Sequence, residues 1–370
     1  MRVLPVLIVT VVMNSLFIGA ERAAVAQGIS RNPVQLASTG NAALAEQRYA
    51  DALAAFTEAA RLMPRDATLH FLAGYSALML GQLGQAQAPL TRALELNPKL
   101  TDASTALSLV LYRQGKVGEA VRVLEVGLKH APDDRDLKDL LAKWRPELNL
   151  QSGMYETRGA HFSVLFQGPA DDLTARRIVE LLEDAYWRIG QALSTYPSET
   201  ISVVLYTQEQ FNTTGGAPDW AGALYDGRIK IPTKGALQRP DELKSSLAHE
   251  FTHAVVAQLT GTAAPVWLNE GLAEVMESDD FSRVERVLSQ YPRRVPHSRL
   301  ERHFDGLSND DLALAYAQSA MAVKKMIELR GVPGVVTLLQ ALGRGVRFDA
   351  AFQQNIAMRY EDFLAMIARY

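Results

Sequence analysis

Three prolines, Pro64, Pro98 and Pro132, recur at a spacing of 34 residues, and the residues between them keep the same register. Ala52, Ala86 and Ala120 align, as do Phe56, Leu90 and Leu124, then Ala59, Ala93 and Gly127, with Tyr49, Leu83 and Val117 at the turn position. Thirty-four residues accommodate two helices and their turns. The small residues let paired helices approach closely, and each proline stops the second helix. Residues 33–146 are therefore expected to form three helical hairpins followed by a capping helix from Asp134 to about Trp144, since a terminal repeat needs a more polar outer face.

This segment resembles the tetratricopeptide repeat. Gly40 and Gly74 match the glycine of that family's first helix, whereas Ser108 replaces it in the third unit, and Leu36, His70 and Ser104 stand where the family carries an aromatic. The resemblance implies a concave surface that takes a peptide or partner protein. The alternative is an array that only braces the following domain. His70 and His130 lie in the array and are read as surface or packing residues.

The first residues carry one cation, Arg2, then an apolar stretch from Val3 to about Ala20 and the small-residue end Ala24-Val25-Ala26. This is the pattern of a secretory signal peptide over residues 1–26, or of a membrane anchor if uncleaved. The chain has no cysteine, so no disulfide, lipidated cysteine or thiolate ligand is possible, and any metal must rest on His, Asp and Glu. Export to a bacterial periplasm is the expectation. Hydrophobic content of 48%, 21% charge and a net charge of −3 describe a globular chain and argue against a nucleic-acid or acidic-lipid surface. Arg293, Arg294, Arg299 and Arg302 are the nearest approach to a basic patch and read as a solvated face or a rim for acidic groups.

Helical periodicity lapses between about Gln151 and Gly159, and a second domain is expected over residues 155–370. Its opening lobe is α+β: strands at Phe162 to Phe166 and Ile201 to Tyr206, a helix from about Leu173 to Leu193, and a hairpin pairing Ala221 to Leu224 with Arg228 to Ile231. Pro240, followed by Asp241 and Glu242, opens a helix that Gly261 stops. Leu243, Leu247, Phe251 and Val255 form its apolar stripe. His249 and His253 fall one turn apart on roughly the opposite, solvent-facing side. The residues from 249 to 253 read His-Glu-Phe-Thr-His, and a second helix carries Glu270 and Glu274, again one turn apart. Two imidazoles and a carboxylate are a ligand set for Zn2+ that leaves a coordination position for water. Chance occurrence of the motif, or a hydrogen-bonded structural pair of histidines, is the competing reading. Helical periodicity after Glu274, in Leu312 to Leu329, Val335 to Leu342 and Tyr360 to Ile367, predicts a second, helical lobe.

These residues resemble the gluzincin metallopeptidases, in which such a helix precedes one carrying a glutamate ligand in a Trp-Leu-Asn-Glu-Gly context, here Trp267 to Gly271. The resemblance implies a zincin-like metallopeptidase domain with His249, His253 and Glu270 as zinc ligands, Glu250 as general base, and Glu274 as partner of a ligand histidine. Sixteen residues lie between His253 and Glu270, slightly fewer than in that family's best-known members. Residues 315–320, Ala-Tyr-Ala-Gln-Ser-Ala, resemble a segment of bacterial peptidase-like proteins of the same clan and make Tyr316 the first choice for an oxyanion donor, with His297 and His303 as rivals. The hairpin occupies the place of a substrate-binding edge strand. Tyr225 and Trp267 are either cleft-lining or packing residues, and His161 has no assigned role. The whole chain then reads as an all-α repeat array followed by an exported zinc peptidase acting on peptide or protein substrate. The alternatives are a noncatalytic peptidase-like scaffold whose repeats bind a partner, and a zinc hydrolase of a nonpeptide cell-envelope amide.

Overall fold

A computed structural model describes residues 32–168, 171–214, 223–232, 239–278, 280–301, 304 and 306–368. The expected signal peptide, Arg302, His303 and the start of the expected hairpin lie outside these residues. Seven helices come first: α1 (Pro33–Ala45), α2 (Tyr49–Leu62), α3 (Ala67–Met79), α4 (Leu83–Leu96), α5 (Thr101–Arg113), α6 (Val117–His130) and α7 (Arg135–Gln151). Asn32, Asp66 and Asp134 cap α1, α3 and α7 by accepting hydrogen bonds from backbone N–H groups of the first turn. Gly40 lets α1 approach the Phe56 ring of α2, where a Cβ would fall 2.7 Å from the ring carbons. Among the first helices of the hairpins, α3 touches α5 and α5 touches α7, so these helices line the inside of the array. The capping helix runs past the expected Trp144 and through Pro146 to Gln151. Glu147 explains the extension, because its buried carboxylate is bonded on several sides.

The chain continues as β1 (Tyr155–Arg158), β2 (Phe162–Phe166), α8 (Asp172–Ala192), β3 (Ile201–Tyr206), α9 (Gln208–Thr213), β4 (Leu224–Tyr225) and β5 (Ile229–Pro232). The strands form one sheet in the order β1-β2-β3-β5-β4, with β2, β3 and β5 parallel and the two edges antiparallel. Phe162, Val164, Val203, Leu205, Ile229 and Ile231 belong to the main core with α8 and the helices that follow. Val204 and Tyr206 fill a separate cluster with Phe211, Leu150 and Met154, so β3 is buried on both faces. This double burial is why β3 reads as an unbroken apolar run rather than an alternation.

The remaining elements are α10 (Pro240–Thr260), α11 (Val266–Glu277), α12 (Ser282–Gln290), α13 (His297–Leu300), α14 (Asn309–Gly343), α15 (Phe348–Ile356) and α16 (Tyr360–Ile367). Leu243, Leu247, Phe251 and Val255 are all buried. The break expected between residues 329 and 335 is a kink within α14, where Gly331 leaves helical geometry at φ 67° and ψ 173°.

The array is fastened to the rest by the same position of each repeat. Gln47, Gly81 and Gly115 stand at the turn of each hairpin with φ of 57°, 72° and 78°. Gln47 and Arg48 abut Gly345, Gly81 faces Ala257, and Gly115 faces Ser202. Glu199 adds a carboxylate that accepts from the N–H of Gly84 at 2.8 Å, at the positive end of α4. These contacts realise the bracing role that the sequence leaves open. Gly261 is the tightest of them: its φ is 60°, and an added Cβ would fall 1.9 Å from the Met79 carbonyl oxygen. Gly261→Ala is expected to destabilise the protein by about 1–3 kcal/mol, the range for forcing a side chain into such a conformation, read from the midpoint of urea unfolding.

A buried polar network closes the joint. Glu147 accepts from the hydroxyls of Tyr112 and Tyr206, both at 2.8 Å, and forms an ion pair with Arg228. Lys230 lies 3.6 Å from Glu147 and 3.0 Å from Asp226, and the Arg228 guanidinium sits 4.1 Å from the centre of the Tyr112 ring. Burial pushes the Glu147 carboxyl up, but Arg228, Lys230 and the two hydroxyls outweigh it and hold it below the ordinary carboxylate value of 4.5. Because the folded value is depressed, the stabilisation is fully present above that ordinary value and is lost as pH falls through the folded one. Glu147→Gln takes from Arg228 its ion-pair partner and leaves Asp226 alone against two buried cations, and is expected to cost about 3–5 kcal/mol at neutral pH. It should also flatten the acid limb of a plot of unfolding free energy against pH, measured by urea titration.

Candidate metal centre

Helix α10 places its apolar stripe in the core and turns His249 and His253 towards α11. The two rings meet edge to face with centroids 4.8 Å apart. The Glu270 carboxylate lies 3.5 Å from the Nε2 atom of each histidine. Four ligands set tetrahedrally with bonds of about 2.0–2.1 Å around zinc are separated from one another by about 3.3 Å, so these spacings suit the ion. One atom from each residue can be chosen so that all three lie within 4.8 Å. The donor set of two imidazoles and one carboxylate fits a divalent cation of zinc's preference, with one departure. His253 Nδ1 is buried without a hydrogen-bond partner, whereas a ligand histidine ordinarily has its second nitrogen engaged.

The surroundings of His249 differ from the sequence expectation. Its Nδ1 faces Glu277 at 3.3 Å, while Glu274 is bonded to Arg283. Glu270, Glu274 and Glu277 fall at i, i+4 and i+7 of α11, so one face carries three carboxylates rather than two. That spacing is a readable signal, and Glu277 is the residue that sequence reasoning missed. His249, Glu274 and Glu277 also lie close enough to form an alternative trio. The imidazole of His249 is opposed by burial, yet the hydrogen bonds to Glu270 and Glu277 raise its pKa well above the ordinary value. Glu277 shows the converse: burial raises it, and His249 and Arg283 hold it below the usual range.

Glu250 is buried, and burial raises its carboxyl pKa against the opposing pull of His253 and His249. Helix α10 packs against the edge strand β4, which carries Tyr225. The histidine side chains are only 13% and 11% exposed, so the expected solvent-facing pair is a largely enclosed one. Tyr316 on α14 contributes to that enclosure, its ring centre 6.2 Å from that of His249 and 5.4 Å from that of Phe304. Trp267 is a packing residue, buried against Tyr360 and His297. His297 itself bonds to Tyr360. His161 stacks on Tyr186 and is bonded to Glu183, remote in the fold from the metal centre.

The family model of the tetratricopeptide repeat matches residues 38–99 and 77–143, and this part of the chain is a tetratricopeptide array. The chain is similar to the "Protein STIP1 homolog" of Dictyostelium discoideum, 28% identical over 35% of this chain and 22% of that protein. It is similar also to the "Hsp70-Hsp90 organizing protein" of Triticum aestivum, 24% identical over 30% of this chain and 19% of that protein. Among solved structures, the first repeat domain of Spaghetti (RPAP3) bound to an HSP90 peptide matches at 21% identity and a TM-score of 0.31, covering 32% of this chain and 98% of that one. The matched stretch thus spans about a fifth of the length of these curated relatives.

These findings overturn the expectation of a zinc peptidase. The relatives are a STIP1 homolog and Hsp70-Hsp90 organizing proteins, and none of them is named a peptidase. The expectation rested on a local ligand pattern, and convergence of His249, His253 and Glu270 is a donor arrangement that does not by itself imply turnover. Glu250 and Tyr316 accordingly stand as a buried carboxylate and an aromatic neighbour of His249, with no catalytic assignment.

Glu277→Gln is expected to weaken Zn2+ binding by about 10–100-fold, the usual effect of losing the carboxylate that orients a ligand histidine. Glu274→Gln should change it far less, both compared by isothermal titration with Zn2+.

Proposed function

We propose that this protein is a noncatalytic, peptidase-like scaffold: a tetratricopeptide array that binds a partner protein, fastened to a zincin-like domain that carries a zinc ion. The repeat array carries the reading, since the match to the tetratricopeptide repeat covers it from residue 38 to 143. Its inner layer offers side chains to a partner. Phe71 and Tyr75 are half-buried on α3 with ring centroids 5.9 Å apart, and Asp102 on α5 is electrostatically coupled to Tyr75. Paired aromatics supply large contact area at low entropic cost, a property suited to gripping an extended peptide. The names of two relatives, which speak of organizing Hsp70 and Hsp90, support protein binding as the role of such repeats.

For the second unit, His249, His253 and Glu270 would hold the zinc ion, and the ion would link α10 to α11. Glu277 would keep the ring of His249 oriented through Nδ1. The basic start, apolar stretch and small-residue end of residues 1–26 support export, with the periplasm as the site of action. Among the described residues no helix is long and apolar enough to cross a membrane.

Photo-crosslinking of the full chain tests the partner reading. A crosslinker placed at Tyr75 should trap a defined partner from the native host. Phe71→Ala should reduce that product at least about tenfold, as expected when a central aromatic anchor worth 1.4 kcal/mol or more is removed. Equal trapping in wild type and Phe71→Ala would refute docking on this face.

A further inference from the structure

A cavity of about 290 Å3 lies where α11, α12, α13, α14 and α16 meet. No residue of α10 lines it, and neither does Glu270, so it is separate from the candidate metal centre. Its wall is largely apolar, formed by Leu288, Val295, Leu300, Met321, Leu364 and Ile367. It reaches the surface beside Ala368, which is exposed.

The polar side chains on that wall divide into two kinds. His297 and Gln318 are engaged: the ring of His297 is bonded to the Tyr360 hydroxyl, and the Gln318 amide accepts from the Val295 N–H at 2.7 Å and donates to the Val295 carbonyl at 3.2 Å. Ser319 Oγ and Trp267 Nε1 are buried at the cavity without a hydrogen-bond partner. A buried donor left unpaired is costly, and native proteins leave few of them. The Gln318 bonds also bring the loop that carries Arg294 against the turn of α14 that carries Ser319. Arg294 donates through Nη1 to the carbonyl oxygens of Tyr291 and Arg293, which holds its guanidinium at the wall. Among the described residues no carboxylate lines the cavity, so the charge it presents to a guest is positive. Arg294 belongs to the basic group that the sequence leaves open between a solvated face and a rim for acidic groups, and its place at the cavity favours the rim.

We propose that this cavity binds a linear aliphatic carboxylate of about ten carbons, with the carboxylate paired to Arg294 and the chain laid along the apolar wall. Size sets the length: a cavity of about 150 Å3 holds the six carbons of benzene, so in proportion this one takes about a dozen non-hydrogen atoms. An ionised carboxylate is acceptor-only, which is what a wall of unpaired donors and a guanidinium lacks. The chain in turn covers the leucine, isoleucine and methionine surface that otherwise faces water. The site needs neither the zinc ion nor a partner on the repeats.

Isothermal titration of the full chain with sodium decanoate, kept below the concentration at which it forms micelles, tests the assignment. One saturable site is expected. Arg294→Gln should weaken decanoate at least about tenfold and leave 1-decanol within about twofold, because only the carboxylate loses a charge-assisted bond. Ala368→Trp places bulk at the exposed mouth without entering the core, and should abolish binding of both. His253→Ala should leave both within about twofold, as expected for a change at a separate site. Absence of saturable decanoate binding would overturn the proposal. So would equal loss of decanoate and decanol in Arg294→Gln, or unchanged binding in Ala368→Trp. Loss of decanoate in His253→Ala with retention in Ala368→Trp would place the carboxylate on the metal centre, and that also overturns it. Failure of the chain to bind Zn2+ counts against the proposed function and leaves these titrations interpretable.

Discussion

Glu147 is the interaction on which the rest of the molecule depends. Its carboxylate is 1% exposed and is joined in the interior by Asp226, Arg228 and Lys230, so two negative and two positive side chains meet where the repeats join the sheet. Moving such groups out of water costs several kcal/mol each, and their mutual attraction recovers that only with good geometry. The cluster supplies part of it through two tyrosine hydroxyls, the Gln151 amide and a guanidinium over the Tyr112 ring, while Asp226 Oδ1 and Arg228 Nε and Nη1 are buried without a hydrogen-bond partner. An apolar joint could hold as strongly and tolerate sliding. Paired charges accept one register, which sets how the repeats meet the sheet.

The candidate metal centre depends on a second division of labour, between the two faces of α10. One face is committed to the core through Leu243, Leu247, Phe251 and Val255, and the other offers His249 and His253 to α11. Close approach of α11 to α14 is secured by Gly271, whose added Cβ would fall 2.3 Å from the Ser319 carbonyl oxygen. Because α11 is held this way, Glu270 reaches both histidines and Glu277 reaches the far nitrogen of one of them.

Much of this was legible in the chain. The period of 34 predicts the hairpins because each repeat solves the same packing problem with the same small residues and proline stop. The strands at Phe162–Phe166 and Ile201–Tyr206 are readable as compact apolar runs, and the trio of His249, His253 and Glu270 is readable from helical spacing. Other features were not. Strand β1 is mostly exposed and carries Glu156 and Arg158, so it has no apolar pattern to mark it. Helix α7 extends past Trp144 because of bonds to Glu147 from Tyr112 and Tyr206, residues 35 and 59 positions away in sequence. The expected activity fails for a related reason: a motif specifies which donors can converge, and donors alone do not specify a reaction.

The sequence by itself determined the repeated hairpins, the amphipathic α10 and the identities of the side chains that converge as candidate metal ligands, because all three follow from local periodicity and spacing. Tertiary structure alone decided that the turns at 47, 81 and 115 face the second unit, that Arg228 and Lys230 are buried rather than solvated, and that Glu277 rather than Glu274 faces His249. Each of these is a choice between partners distant along the chain. Helical or strand periodicity places a residue on a face, and only packing of one element against another determines what that face meets.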